Sequence, residues 1–596
     1  MSEAKIKLIF IEKKKIKLMN LEKIDLRTHL IRMGMPVLEE IIGRDELEAI
    51  SLITNKSINE VMIADLLIKS GSSEIFSDAL IRGYVIHFLP NEYKSYIEFS
   101  NSDEKISQEK ERQLINRAWN RKFNSHNRLI EIFDLSSDYL PGEVVEENNS
   151  EILAVSEKYE EKSFFKRIIE KIISFFNFFL KSKEKETFGL EKFQERIKDK
   201  FLKQILNNVF KTIIHMPTGS GKTKTILASL IEQNLKTNFL HNNFIIWLAH
   251  SDELCDQAKD SFKNLWKDYG NMKLPIIRLK DQSLDEIKNF NNGLIVCTYA
   301  KLHRLRMDNK GSAILEYIRT KSNFIVADEA HMVPAQTFKD SIQFITSLDF
   351  TILVGLSATP GGYYTDQTEK LSDYFNKNKI SITDDNDNLL DGDDPILYLQ
   401  NKKVLSKLKT HQVKTDFSIE FTAQEKEKIL ETFDEGLSQD LIKKMGKNVE
   451  RNICIYGELR DLYEKNLSTI VFACSLDHAK LLHRICLMNE MKVGKLDDKT
   501  SSQQRKEIVS NYKNGKIKII FNYGILSTGF DAPGTDAILI SRPTSSPIIY
   551  SQMLGRGLRG EKFGGKSECL LIDLKDNLIG LPDEKDCFTL FNRYYD

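Results

Sequence analysis

In the stretch "HMPTGSGKTKT", from His215 to Thr225, glycines 219 and 221 bracket Ser220, and Lys222 and Thr223 follow at once. This composition lets a backbone wrap around phosphate, because glycine adopts left-handed turns freely and the loop amides can meet an anion. Lys222 would hold the β- and γ-phosphates of a nucleotide, and the Thr223 hydroxyl would bind Mg²⁺. Pro217, Thr218, Gly219, Ser220 and Gly221 complete the cradle. One position departs from the pattern G-x-x-x-x-G-K-S/T: Met216 stands where the first glycine would be. Further on, "FIVADEAH" ends in Asp328, Glu329, Ala330 and His331. A carboxylate at a strand tip suits Mg²⁺ binding, and the next can orient and deprotonate a water. In "QMLGRGLRG", Gln552, Arg556 and Arg559 are spaced i, i+4, i+7, one face of a helix. Arginines there would neutralise charge on a transferring phosphoryl group.

These residues need strands and helices to hold them. "TIIHM" predicts a strand and "KTKTILASLIEQ" a helix, so the glycine loop falls at a helix N-terminus, where the dipole favours an anion. Other β-rich runs alternate with helical stretches: "FIIWLAH", "GLIVCTY", "FIVAD" and "TILVGLSAT". That alternation is the mark of an α/β fold with a doubly wound parallel sheet. A second series follows, with "TIVFAC", "IKIIFNYG", "AILISRP" and "ECLLIDL". The reading is therefore two tandem α/β domains, at 188–362 and 410–596, joined by a connector at 363–409. The connector's acidic stretch "DDNDNLLDGDDP" lacks the alternating ligands and closing Glu of a calcium loop and reads as a solvated loop.

Taken in order, these motifs resemble superfamily 2 helicases of the DEAH-box-like group. "GLEKFQERI" looks like the adenine-reading Q motif, which implies Gln194 on the base edge with Phe193 nearby. "MPTGSGKT" is the form of the phosphate loop in which the first glycine is commonly absent. "WLAHSDELCDQA", "VCTYAKL", "DEAH" and "LSATP" resemble the next motifs, and "IVFACSLDHAKLL", "ILSTGFDAP" and "QMLGRGLRG" those of the second domain. The resemblance implies tandem RecA-like domains, ATP and Mg²⁺ as cofactors, and nucleic acid as partner. It also implies that Thr298 and Thr528 contact backbone phosphates. Gly529 and Asp531 join the nucleotide pocket, and His331, Ser357 and Thr359 couple it to the strand-binding groove. "GFDAPGTDAILISRPTSSPIIYSQMLGRGLRG" looks like type III restriction helicase subunits and RadD-like repair helicases, which favours DNA over RNA. RadD-like proteins often carry a cysteine-rich zinc module after the motor, and nothing of that kind follows Gly560.

Composition bounds the alternatives. The 596 residues exceed one core, and Lys+Arg and Asp+Glu both count 86, so a polyanion site must be a local patch. The seven cysteines are scattered without zinc spacing and read as reduced thiols of a cytoplasmic protein. No cleavable signal is read at the N-terminus, and either Met1 or Met19 could be the start. Residues 1–150 read as a helical accessory domain, and 151–187 as an acidic linker followed by an amphipathic helix at 164–180 that is too short and charged to span a bilayer. "NRAWNRKFNSHNR" (116–128) reads as an amphipathic helix with a basic face, or a nucleic-acid patch. "IEFSNSDEK" has carboxylates and a lysine but no convincing nuclease frame. Residues 1–187 are thus expected to dock a protein partner or guide DNA.

Overall fold

The computed structural model describes residues 23–90 except 71–74 and 77, a few positions between 129 and 135, the stretch 150–154, and 188–578 with breaks, the longest at 420–438. The helix expected at 164–180, the basic stretch at 116–128 and the "IEFSNSDEK" segment lie outside the described residues. The chain divides into two compact units. One gathers Met1–Val145, Thr415–Phe417 and Lys443–Tyr523, and the other Glu146–Lys414, Ser418–Ile442 and Gly524–Asp596.

The first unit opens with short helices, α1 (Leu26–Met33), α2 (Met35–Ile42), α3 (Arg44–Thr54), α4 (Glu60–Lys69) and α5 (Ala79–His87). Caps and breakers in the sequence set their ends. Asp25, Asn59 and Asp78 accept first-turn amides of α1, α4 and α5, and Gly34 and Gly43, both at positive φ, separate α1, α2 and α3. Leu30, Leu38, Ile50, Ile63 and Val85 form the buried side of this helical region.

The second unit holds an eight-stranded sheet. Its strands are β1 (Ser150–Leu153), β2 (Lys211–His215), β3 (Phe244–Ala249), β4 (Leu274–Arg278), β5 (Gly293–Thr298), β6 (Ser322–Asp328), β7 (Ile352–Ser357) and β8 (Lys379–Ser381). They lie in the order β1-β4-β5-β3-β6-β7-β2-β8, with β1 antiparallel to β4 and the other pairs parallel. β3 and β7 are buried at every position, which is why their sequences run apolar without alternation. β1 falls inside the stretch read as linker. It is a short edge strand, tied by an exposed Glu151–Lys263 ion pair. The helices of this unit include α6 (Lys192–Leu206), α7 (Lys222–Thr237), α8 (Asp252–Tyr269), α9 (Tyr299–Met307), α10 (Asn309–Thr320), α11 (Gln336–Ile345), α12 (Thr365–Tyr374) and α13 (Asp394–Asn401). Because β2, β6 and β7 are parallel neighbours, their carboxyl ends bring the glycine loop, the Asp328–Glu329 pair and Ser357 to one edge.

The remaining strands are β9 (Lys407–Ile419), β10 (Thr469–Phe472), β11 (Val493–Leu496), β12 (Ile519–Asn522), β13 (Ala537–Ile540) and β14 (Glu568–Leu578). They form two parallel trios: β12 between β10 and β11 in the first unit, and β14 between β13 and β9 in the second. Both strand series read from the sequence are thus parallel α/β structure. The acidic stretch is a braced turn. The Asp384 carboxylate accepts the amides of Asn386 and Asn388, and Arg196 of α6 donates to the Thr383 carbonyl and to Tyr398. Lys200 pairs with Asp387 at 2.7 Å. Among the described residues, no helix is long and apolar enough to cross a membrane.

The first unit also contains α14 (Gln439–Lys447, from Lys443 onward), α15 (Val449–Glu464), α16 (Leu476–Met488) and α17 (Ser502–Lys513). Helix α3 packs on α15 and α16, and α4 packs on α16. Arg484 donates to Glu46 at 2.6 Å, and Lys56 donates to the Met488 carbonyl at 2.7 Å, where a cation suits a helix C-terminus. The N-terminal helices are therefore built into this unit. Arg484 has a side chain only 7% exposed. Its replacement by Ala should lower stability by about 2 kcal/mol, by stranding Glu46 and opening a gap at the helix contact. Urea unfolding checks this, and an unchanged midpoint would show that the contact carries no weight.

Candidate nucleotide site

The glycine loop leaves β2 held to its neighbour, the Met216 amide donating to the Ser357 carbonyl at 3.1 Å. Met216 is fully buried, so its side chain belongs to the core and leaves the loop free of it. Gly219 (φ 82°) and Gly221 (φ 85°) are in the left-handed region that a side chain disfavours. Gly221 precedes α7 and gives it no side-chain cap, and a helix start of that kind suits an anion. Within the loop, Ser220 Oγ donates to the Pro217 carbonyl at 2.6 Å. Lys222 Nζ lies 3.1 Å from the Met216 carbonyl and 3.5 Å from that of Pro217. Thr218 and Gly219 are half-buried on the turn, and Thr223 sits in the first turn of α7. These features fit the triphosphate of a nucleotide.

Asp328 ends β6 almost fully buried, and Glu329 follows in a left-handed conformation, φ 51° and ψ 56°. Such backbone is uncommon for Glu. Burial raises the Asp328 pKa, the Glu329 charge adds to the rise, and Lys222 opposes it. The Trp247 indole N–H, outside ordinary hydrogen-bond geometry, adds a small pull in Lys222's direction. A buried carboxylate short of positive charge is what a divalent cation would relieve, so Asp328 with Thr223 fits Mg²⁺. Tyr299, directly after Thr298, donates to the Asp328 carbonyl at 2.8 Å and stacks on Phe338, fixing the strand end. His331 Nδ1 lies 3.4 Å from Glu329 Oε2 without hydrogen-bond geometry. Burial lowers the His331 pKa, so the ring beside Glu329 is neutral at physiological pH.

Other predicted residues fall around this centre. Gln194 is fully buried: its Oε1 accepts the Glu191 amide at 2.9 Å, and its Nε2 donates to the Ser220 carbonyl at 3.0 Å. The predicted base-reading residue thus also braces the phosphate loop. Phe193 is buried beside it. Arg559 lies against the loop, its Cγ 3.7 Å from where a Cβ on Gly219 would stand, and it sits on an isolated bridge to Leu405 rather than on the helix that the 552/556/559 spacing predicts, because backbone bonds to 404–406 hold residues 558–560 extended. Ser357 is buried at the end of β7. Thr298 caps α9, its Oγ1 accepting the Lys301 amide at 3.2 Å, which leaves the hydroxyl proton for another acceptor. Thr359, Thr528, Gly529, Asp531, Gln552 and Arg556 lie outside the described residues. Trp247, Tyr299 and Lys198 escaped the sequence reading. Lys198 on α6 is fully buried between Glu195 and Glu232 of α7, and their charges outweigh burial and raise its pKa.

Two families match this chain. "Type III restriction enzyme, res subunit" covers residues 187–362, and "Helicase conserved C-terminal domain" covers residues 452–561. The chain belongs to the superfamily 2 helicases, in the ResIII branch. This superfamily 2 chain is 26% identical over 393 residues to IRC3 of Saccharomyces cerevisiae, assigned as an ATP-dependent helicase, covering 64% of this chain and 51% of that protein. It is 22% identical over 410 residues to the type I restriction enzyme EcoAI endonuclease subunit of Escherichia coli, covering 65% and 46%. A 51.5 kDa protein of a Lactococcus phage is 22% identical over 376 residues, covering 62% and 67%. The chain spans about half the length of the IRC3 and EcoAI proteins.

Two substitutions test the geometry. A Cβ at 221 would stand 2.4 Å from Gln194 Nε2 on a left-handed backbone. Gly221→Ala should therefore weaken ATP binding by about tenfold, through roughly 1–2 kcal/mol of loop strain. Fluorescent-nucleotide titration checks this, and wild-type affinity would mean that the loop has room. Lys198→Ala should cost about 3 kcal/mol in urea unfolding, because Glu232 loses its buried partner. A cost under about 0.5 kcal/mol would show that Lys236 alone satisfies Glu232.

Proposed function

We propose that this superfamily 2 chain is an ATP- and Mg²⁺-dependent motor on nucleic acid, with DNA as its track. The observation that carries the reading is Arg559 packed on Gly219 of a phosphate loop whose helix start is uncapped, with Asp328 within electrostatic reach of Lys222. The two RecA-like lobes are taken as 188–362 and 410–596, joined by 363–409. Bound MgATP would supply the phosphoanhydride bond and partial neutralisation of its own charge. Lys222 is assigned to the β- and γ-phosphates, and Thr223 and Asp328 to the cation. Glu329 orients a water and accepts its proton, with neutral His331 beside it. Arg556 and Arg559 stabilise charge that develops on the transferring phosphoryl group, with Gln552 assigned to the same pocket. Gly529 and Asp531 complete the pocket. Ser357, whose carbonyl holds the loop's first amide, and Thr359 link it to the groove. Thr298 and Thr528 contact backbone phosphates, which positions a strand without reading its sequence.

DNA is favoured over RNA by the resemblance of residues 529–560 to restriction and repair helicases. A second reading, a motor subunit of a restriction or defence assembly, is supported by the ResIII match and the similarity to the EcoAI subunit. Parallel ATPase assays with single-stranded DNA, duplex DNA and RNA test the substrate. Stimulation by DNA is expected, and stimulation by RNA alone overturns this part of the proposal. Lys222→Ala should lose nucleotide binding, whereas Glu329→Gln should bind ATP normally and not turn it over. Normal hydrolysis by Glu329→Gln would remove Glu329 as the base. Arg556→Ala should lower the turnover rate by roughly 10³-fold. A loss confined to affinity would make it a ground-state contact.

A further inference from the structure

The turn that follows Arg559 is fastened on two sides. Residues 558–566 are stitched to 403–406: the Ser406 amide donates to the Leu558 carbonyl at 2.9 Å, the Gly560 amide to Val404 at 2.8 Å, and the Lys562 amide to Lys403 at 3.1 Å. Ser406 Oγ lies 2.6 Å from the Arg559 carbonyl. On the other side, Lys562 Nζ donates to Glu191 Oε2 at 2.6 Å. Phe563 stands 3.6 Å from where a Cβ on Gly221 would be. Glu191 is the residue that begins α6, and its own amide is held by Gln194, whose other end holds the Ser220 carbonyl. One helix start therefore grips both the phosphate loop and the turn that carries the arginine.

We propose that Glu191 and Lys562 are positioning residues, whose ion pair sets the placement of the Arg559 segment over the phosphate loop. The inference rests on the functional reading above and adds a coupling to it. The helix start expected to meet the adenine also governs whether the arginine is in register with the phosphates. Neither residue touches the reacting atoms; both act through the turn between them. With side chains 41% and 30% exposed, the pair is worth only a modest rate effect.

The test uses the full chain with saturating nucleic acid. Lys562→Glu and Glu191→Lys should each lower kcat for ATP hydrolysis by about fivefold, with KM for ATP and fluorescent-nucleotide affinity within about twofold of wild type. The double variant, with the charges exchanged, should restore kcat. A purely structural role would move affinity and kcat together and would gain nothing from the exchange. If the wild type hydrolyses ATP and the single variants match it, or the exchange fails to restore the rate, this inference is overturned alone. If the wild type hydrolyses no ATP, the functional reading falls and takes the inference with it.

Discussion

A helix begins with backbone amides that have no partner inside it, and the usual remedy is a neighbouring side chain. Asp25, Asn59, Asp78, Ser251, Thr298 and Ser475 each supply one in this protein. At α7 a side-chain cap is absent: Gly221, in a left-handed conformation, has no side chain to offer. The rest of the site is arranged around that unmet demand. Lys222 lies beside loop carbonyls, Ser220 braces the turn from within, and Gln194 braces it from α6. An anion that enters there replaces weak internal contacts with charge-assisted ones.

The electrostatics around the loop follow from burial. Asp328, His331 and His215 sit where water is scarce, so each is driven toward its neutral form. The His215 pKa falls to about 4, chiefly through burial. Of the three, Asp328 is the one whose charge the site would use, and Lys222 favours its ionised form, as does the Glu329 amide that donates to it at 3.0 Å. Glu329, which the proposed mechanism assigns to the attacking water, follows on its left-handed turn.

What the sequence made legible was whatever one residue type does alone. Glycines at 219 and 221, the acids at 328 and 329, and the fully apolar β3 and β7 each announce their conformation, because backbone freedom or continuous burial permits few residue types. β1, β8 and β9 do not. β8 is three residues long, and "KLKTHQVKTDFSI" in β9 is studded with lysine, so their strand character comes from the partners beside them. The same holds at the site. Trp247, Tyr299 and Lys198 are ordinary core or helix residues until the fold sets them against Asp328 or Glu232. The acidic stretch at 384–388 was read as a solvated loop and its carboxylates are exposed, but the partners that brace it, Arg196 and Lys200, lie nearly two hundred residues earlier.

The packing of α3 on α15 and α16 has a temporal side. Glu46 and Arg484 are 438 positions apart in the chain. At a synthesis rate of about 5–20 residues per second, the N-terminal helices leave the ribosome roughly 20–90 s before their docking surface exists. During that interval α3 lacks the α15 and α16 surface it packs on, whereas the phosphate-loop sheet has all of its strands between residues 150 and 381. The protein is thus compelled to assemble from the middle outward, and its first-made segment waits for one of its last.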